Sequence, residues 1–212
     1  MRVITKTYPI SDFSSNLYIL VFDDGSALII DPGIDKKKYL DEIFANYAKV
    51  HAVLLTHGHF DHIRGAKPIS DHYNCPIYVS SHDRRFLEEP EFFAPYLFGL
   101  KPQEERISEF IDISLLDSIN INGLDITIIS TPFHTLGSTC FYIEKEKLLF
   151  SGDTLFKDSI GRTDLITSDP NLVSTSLKKL LVLPNDTLIY PGHGPSTSLE
   201  EEKENNPYLI SL

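Results

Sequence analysis

The sequence predicts a layered α/β domain, and three features carry that expectation. Short β-branched and aromatic runs recur along the 212 residues, amphipathic stretches of helical spacing lie between them, and several apolar runs end abruptly in a histidine or an aspartate. A 42% hydrophobic fraction over this length supplies a substantial core, so one domain spanning 1–212 is expected.

Val3 to Tyr8, Asn16 to Phe22 and Ala27 to Asp31 read as strands. Asp23-Asp24-Gly25 forms a hairpin turn between the second and third, and Asp31-Pro32-Gly33 breaks the third. Lys36 to Tyr47 spaces Leu40, Ile43 and Phe44 on one helical face. Val50 to Thr56 is apolar enough for a strand covered on both faces. Further strands are expected at Ile77 to Ser80, Ile119 to Asn122, Leu124 to Ser130, Thr139 to Glu144, Lys147 to Ser151 and Thr187 to Tyr190. Helices are expected from Asp169 or Pro170 to Leu183 and near Ser198 to Asn205.

The segment around 82–109 stands apart, with Phe86, Phe92, Phe93, Tyr96, Leu97 and Phe98 set among charges and two prolines. It reads as a helical, aromatic insertion, and its role as packing, lid or interface stays open.

Charge narrows the partners. Thirty acidic residues against 19 basic ones give a net charge of −11, which repels phosphate backbones and argues against a nucleic-acid partner. The run Lys36 to Lys38 is short enough to be a solvated face. Two cysteines, Cys75 and Cys140, cannot build a framework of several disulfides, so buried thiols in a reducing compartment are expected. The start MRVITKTYPI lacks a signal pattern and no segment holds 18 uninterrupted apolar residues. A cytoplasmic protein with no membrane partner is the expectation, and the oligomeric state is left open.

The chemistry concentrates in Thr56-His57-Gly58-His59-Phe60-Asp61-His62, three imidazoles and a carboxylate directly after an apolar strand. Such donors suit Zn, Mn or Fe, and the lack of thiolates points away from a structural zinc site. Three more strands run out into a donor in the same way. Ile128 to Ser130 leads to His134, Leu148 to Ser151 leads to Asp153, and Leu188 to Tyr190 leads to His193. Each alone is weak evidence, but four strand-end clusters point to one shared site, because open α/β sheets collect ligands at strand ends.

The ordered set His57-x-His59-x-Asp61-His62, then His134, Asp153 and His193, resembles the metallo-β-lactamase superfamily over nearly the whole chain. The resemblance implies a four-layer αβ/βα sandwich. It implies two divalent metal ions, zinc first with iron or manganese also open. His57, His59 and His134 would bind one ion, Asp61, His62 and His193 the second, and Asp153 both; Asp31 would orient a ligand imidazole. Asp61 and Asp153 are the expected catalytic carboxylates.

Within the superfamily, Gly152-Asp153-Thr154-Leu155-Phe156, Ser159 to Leu165, Gly192-His193-Gly194-Pro195 and the ending Glu202 to Tyr208 are similar to short glyoxalase II-like hydrolases. A small-molecule thioester such as S-lactoylglutathione, cleaved by a metal-bound hydroxide, is what that branch implies. Phe133-His134-Thr135-Leu136-Gly137 departs from its usual Gly-His-Thr-Pro-Gly, and only 19 residues follow His193, too few for the helical domain of full-length glyoxalase II. Arg162 is a candidate anion contact, with a salt bridge to Asp164 as the alternative. A mononuclear-iron persulfide dioxygenase and a hydrolase of another ester or thioester are the rival readings. A β-lactamase is weaker, for want of a secretion signal.

Overall fold

The computed structural model describes residues 1–7, 14–34, 36–89 and 106–212. The aromatic residues 92, 93 and 96–98, whose role the sequence leaves open among packing, lid and interface, lie outside them. The chain divides into two compact units, Met1–Asp112 and Ile113–Leu212.

The first unit is a six-stranded sheet in the order β1 (Arg2–Thr7), β2 (Asn16–Val21), β3 (Ala27–Ile30), β4 (Val50–Leu54), β5 (Ile77–Val79) and β6 (Ile111–Asp112). The first three strands are antiparallel and the last four parallel. The turn between β2 and β3 needs Gly25, whose φ is +80°. The Ser26 amide and hydroxyl both donate to Asp24 Oδ1, at 2.9 and 2.5 Å.

Helix α1 (Lys37–Asn46) connects β3 to β4 and matches the expected stretch to within a residue at each end. Between β4 and β5 come α2 (Phe60–Ile63) and α3 (Ala66–Tyr73), and α4 (Arg84–Glu88) follows β5. Ile43 of α1 and Ile69 of α3 pack with Leu17, Ile19, Ile29, Val53 and Ile77 in one apolar cluster. The residues that alternate with these, Tyr18, Leu20, Leu28, Ile30 and Leu54, are equally buried on the opposite face. That is why these strands read as continuous apolar runs.

Parallel pairing also decides where function lies. Ile30 stands opposite Leu54, so β3 and β4 end side by side and release Asp31 and the Thr56–His62 loop at the same edge.

The second unit is also a six-stranded mixed sheet, in the order β14 (Thr197–Ser198), β13 (Leu188–Pro191), β10 (Leu148–Gly152), β9 (Thr139–Ile143), β8 (Leu124–Ser130) and β7 (Ser118–Ile121). β7 to β10 form an antiparallel meander, with β10 parallel to β13. Asn122 and Gly123 both take positive φ, +52° and +79°, as a two-residue hairpin turn requires.

Between β10 and β13 come a small hairpin, β11 (Leu155–Phe156) and β12 (Ser159–Ile160), and helix α5 (Val173–Leu181). The expected helix near Asp169 begins as a 3₁₀ turn at Pro170–Leu172, capped by the Asp169 side chain accepting from the Asn171 amide. Helices α6 (Leu199–Asn205) and α7 (Pro207–Ile210) close the chain. Leu177 and Leu180 of α5, with Leu199 and Leu209, cover Cys140, Tyr142, Leu149 and Ile189 of the sheet. Since β8 is antiparallel to β9 and β9 to β10, β8, β10 and β13 run the same way. The segments carrying His134, Asp153 and His193 therefore leave one edge of this sheet.

Candidate metal centre

In the first unit the edge of β3 and β4 carries a buried polar cluster. Asp31, His57 and His62 are each at most 1% exposed, and His59 and Asp61 at most 7%. One donor atom from each of Asp31, His57 and His62 lies within 4.8 Å of the others. Hydrogen bonds separate their roles. The Thr56 amide donates to Asp31 Oδ1 at 2.8 Å, and the Thr56 hydroxyl donates to Oδ2 at 2.6 Å. That oxygen also faces His62 Nδ1 at 3.0 Å. Both oxygens of Asp31 are thus engaged by neighbouring groups, the arrangement of a supporting carboxylate.

The protons on the imidazoles follow. A carboxylate only accepts, so His62 carries its proton on Nδ1. Thr56 Oγ1 has one proton, given to Asp31, so at 3.1 Å it accepts from His57 Nδ1. With Nδ1 engaged, each ring keeps Nε2 as the nitrogen available to a metal. His62 Nε2 lies 3.7 Å from Asp61 Oδ2, and the His57 ring sits 4.7 Å from His59 and 4.2 Å from His62, centroid to centroid.

In the second unit the same logic fixes His134. Its Nδ1 donates to the Arg162 carbonyl at 3.0 Å, leaving Nε2 facing Asp153 Oδ2 at 3.3 Å. His193 Nε2 faces the same oxygen at 3.6 Å. A lone pair against a carboxylate is repulsive unless a cation or proton lies between them. Buried imidazoles and carboxylates with preset Nε2 atoms fit a divalent transition metal.

Of the two readings of the Arg162 side chain, the structure shows the salt bridge. The guanidinium makes a bidentate pair with Asp164 at 2.9 and 3.0 Å, which raises the Arg162 pKa and lowers that of Asp164. Its contribution to the cluster is the backbone carbonyl that holds His134. Cys75 and Cys140 are free, buried thiols, as expected, and no described helix is long and apolar enough to cross a membrane.

Two contributors escape sequence reasoning. Asp83, 1% exposed, accepts from the Gly58 amide at 2.8 Å and so pins the loop between two histidines. A Cβ on Gly58 would stand 2.9 Å from the Phe86 ring and 3.0 Å from Asp83, so only glycine allows this approach. The hairpin β11–β12 is the second, since Phe156 in it meets His193 and Gly161 and Arg162 just after it meet Asp153 and His134. No periodicity marks either feature.

The profile of the metallo-beta-lactamase superfamily matches residues 10–193. The chain belongs to that superfamily. This metallo-β-lactamase-fold chain is similar to hydroxyacylglutathione hydrolase GloC of Haemophilus influenzae, 32% identical over 204 residues that cover 96% of each protein. It is also similar to the crystal structure of BLEG-1, a B3 metallo-β-lactamase, with a TM-score of 0.83 and 35% identity covering 97% of this chain and 99% of that one. TTHA1623, crystallised in a di-iron-bound form, gives a TM-score of 0.83 at 32% identity, covering 96% and 100%. This superfamily member is a metal-dependent hydrolase.

Proposed function

We propose that the protein hydrolyses a small-molecule thioester of the S-lactoylglutathione type with two divalent metal ions, zinc first among them. The observation that carries the metal centre is the preset imidazoles: His57, His62 and His134 each give up Nδ1 to a fixed acceptor. The substrate class rests on full-length similarity to hydroxyacylglutathione hydrolase GloC.

In this reading His57, His59 and His134 would hold one ion and Asp61, His62 and His193 the other, with Asp153 available to both. When bound, the ions supply Lewis acidity, bringing the pKa of water from about 15.7 to near 7 and polarising a carbonyl. Asp61 accepts a hydrogen bond from the attacking water and aligns it. Asp153 carries the negative charge that offsets the cations. A thiol leaves readily as its anion, so hydrolysis yields a carboxylate and a thiol without a dedicated proton donor. The cations also dominate the local field, which lets an acidic chain accept an anionic substrate.

The test is release of free thiol from S-lactoylglutathione by protein loaded with zinc, iron or manganese. Turnover abolished by chelation and by Asp153→Ala supports the proposal. No turnover with any metal removes the substrate class, and an Asp153→Ala protein that keeps its metal and activity removes the site. Full-length similarity to BLEG-1 favours β-lactam hydrolysis as a second reading, and a chromogenic cephalosporin in the same assay separates the two.

A further inference from the structure

The hairpin β11–β12 and the two residues that follow it meet each donor residue of the second unit in a different way. Phe156 presents its ring edge-on to His193, centroids 6.1 Å apart at 85°. Gly161, just past the hairpin, lies so close that a Cβ there would stand 1.9 Å from the Asp153 carbonyl oxygen and 3.1 Å from His134 Nδ1. Arg162 supplies the carbonyl that accepts from His134 Nδ1. The orientation of the three donors therefore depends on where this short hairpin sits. Two strands of two residues each cannot hold it alone.

Leu155 and Ile160 seat its strands in the core, and its turn is held by a buried glutamate on α6. Glu202 is 0% exposed. Its Oε2 accepts from the Asp158 amide at the hairpin turn and from Asn206 Nδ2, both at 2.8 Å, and its Oε1 accepts from the Thr197 hydroxyl at 2.7 Å. Asn206, also 0% exposed, donates from Nδ2 to the Ser159 carbonyl at 3.0 Å and to that of Phe156 at 3.4 Å. Asp158 takes φ +59°, a left-handed conformation that costs about 1–2 kcal/mol for a non-glycine residue and needs a fixed partner to persist.

We propose that Glu202 is a positioning residue for the metal centre: through the Asp158 amide and Asn206 it fixes the hairpin, and through the hairpin it fixes His134, Asp153 and His193. This rests on the reading of those three residues as metal ligands. Burying a carboxyl group is costly unless its oxygens are satisfied, and here each bond it makes goes to the hairpin, to Asn206 or to the neighbouring strand β14. Nothing in the substrate reading enters.

The experiment measures zinc affinity by competition with a chromophoric chelator, and the visible spectrum of the cobalt(II)-loaded protein, for the parent and three variants. Glu202→Leu removes every acceptor and should weaken metal binding roughly 10- to 100-fold, the range for lost supporting contacts, with a shifted cobalt spectrum. Glu202→Gln keeps one carbonyl for Asp158 and Asn206, and its amide can donate to the Thr197 oxygen. It should stay within about threefold of the parent, by the same scale. Ile43→Ala, on α1 in the apolar cluster of the first unit, which holds no residue of the hairpin, should lower the melting temperature without moving either metal readout.

Glu202→Leu with parental affinity and spectrum overturns the proposal. So does an Ile43→Ala protein that loses metal equally, or a Glu202→Gln protein as impaired as Glu202→Leu. If Glu202→Leu does not fold, Asn206→Ala carries the same expectation and the same refutation. Thioester turnover is not read, so a failed substrate assignment leaves the result standing; a parent protein that binds no metal overturns both readings.

Discussion

Asp31 Oδ2 receives His62 Nδ1 at 3.0 Å and the Thr56 hydroxyl at 2.6 Å, so one carboxylate oxygen sets the proton of His62 directly and that of His57 through Thr56. Its backbone is committed too: φ is +49°, and its amide donates to the Leu54 carbonyl at 3.0 Å, which ties the end of β3 to β4. Asp31→Ala should reduce metal affinity about 10- to 100-fold, read as metal content after dialysis against a weak chelator. Asp31→Asn, which tolerates the left-handed backbone, should fold as well as the parent yet still bind metal more weakly. Full metal retention in both variants would mean that Asp31 is only a turn residue.

Gly33 and Gly25 should respond differently to the same substitution. A Cβ on Gly33 would lie 1.8 Å from the Asp61 carbonyl and 2.3 Å from Ser15 Oγ, a hydroxyl that itself donates to that carbonyl. Backbone has to move, so Gly33→Ala should cost roughly 3 kcal/mol or more and displace α2 at Asp61. Gly25 has φ +80° with nothing within 4 Å, so Gly25→Ala should cost only about 1–2 kcal/mol of strain. Urea midpoints compare the two, and equal losses would refute the close approach.

Sequence legibility tracks how far apart the cooperating residues lie. The runs ending at His57, His134, Asp153 and His193 stand out because strand, turn and donor are adjacent in the chain, and those strands form as expected. Helix α3 is hidden by Pro68, which sits in its first turn, where a missing amide costs nothing. The hairpin β11–β12 is hidden because Lys157-Asp158 carries no Gly or Asn signal; the Asp158 conformation is supported by Glu202, 44 residues away. Asp83 is hidden likewise, since its partner Gly58 lies 25 residues back.

Both cysteines should be inert in the native protein. Burial pushes Cys75 and Cys140 up from 9.0 to about 11, and only the thiolate is nucleophilic. Iodoacetamide at pH 8 should label neither until denaturant is added. The linkage has a definite sign: folding favours the protonated thiol, so this stability is intact below pH 9 and is lost as pH rises from 9 through 11. Cys140→Ala should flatten that alkaline decline in thermal melts. An unchanged slope would show that other groups cause it.

Asp83→Ala tests support of the metal loop from the other side. Removing the carboxylate leaves the buried Gly58 amide without its acceptor, a penalty of about 1–3 kcal/mol, between two imidazoles that must hold position. Stability and metal affinity should fall together. Asp83→Asn, which keeps a carbonyl oxygen for the amide, should recover most of both. Denaturant unfolding and metal competition measure the pair, and an Asp83→Ala protein with parental affinity would confine Asp83 to folding.

Metal should stabilise the fold measurably. Asp153 Oδ2 faces His134 and His193 at 3.3 and 3.6 Å, and without a cation these acceptors meet only through protons. An ion bound by the folded chain and not by the unfolded one adds RT ln(1 + [L]/Kd), about 4.1 kcal/mol at a thousandfold excess over Kd. Chelated protein should therefore melt several degrees below zinc-loaded protein, and the gap should shrink in His134→Ala, which deletes one donor but leaves the strand β8 that precedes it. Iron and manganese should give gaps of their own, ranked by affinity for a nitrogen- and oxygen-donor set. Identical melting with and without every metal would mean that the buried histidines serve the fold as hydrogen-bonded residues and not as ligands.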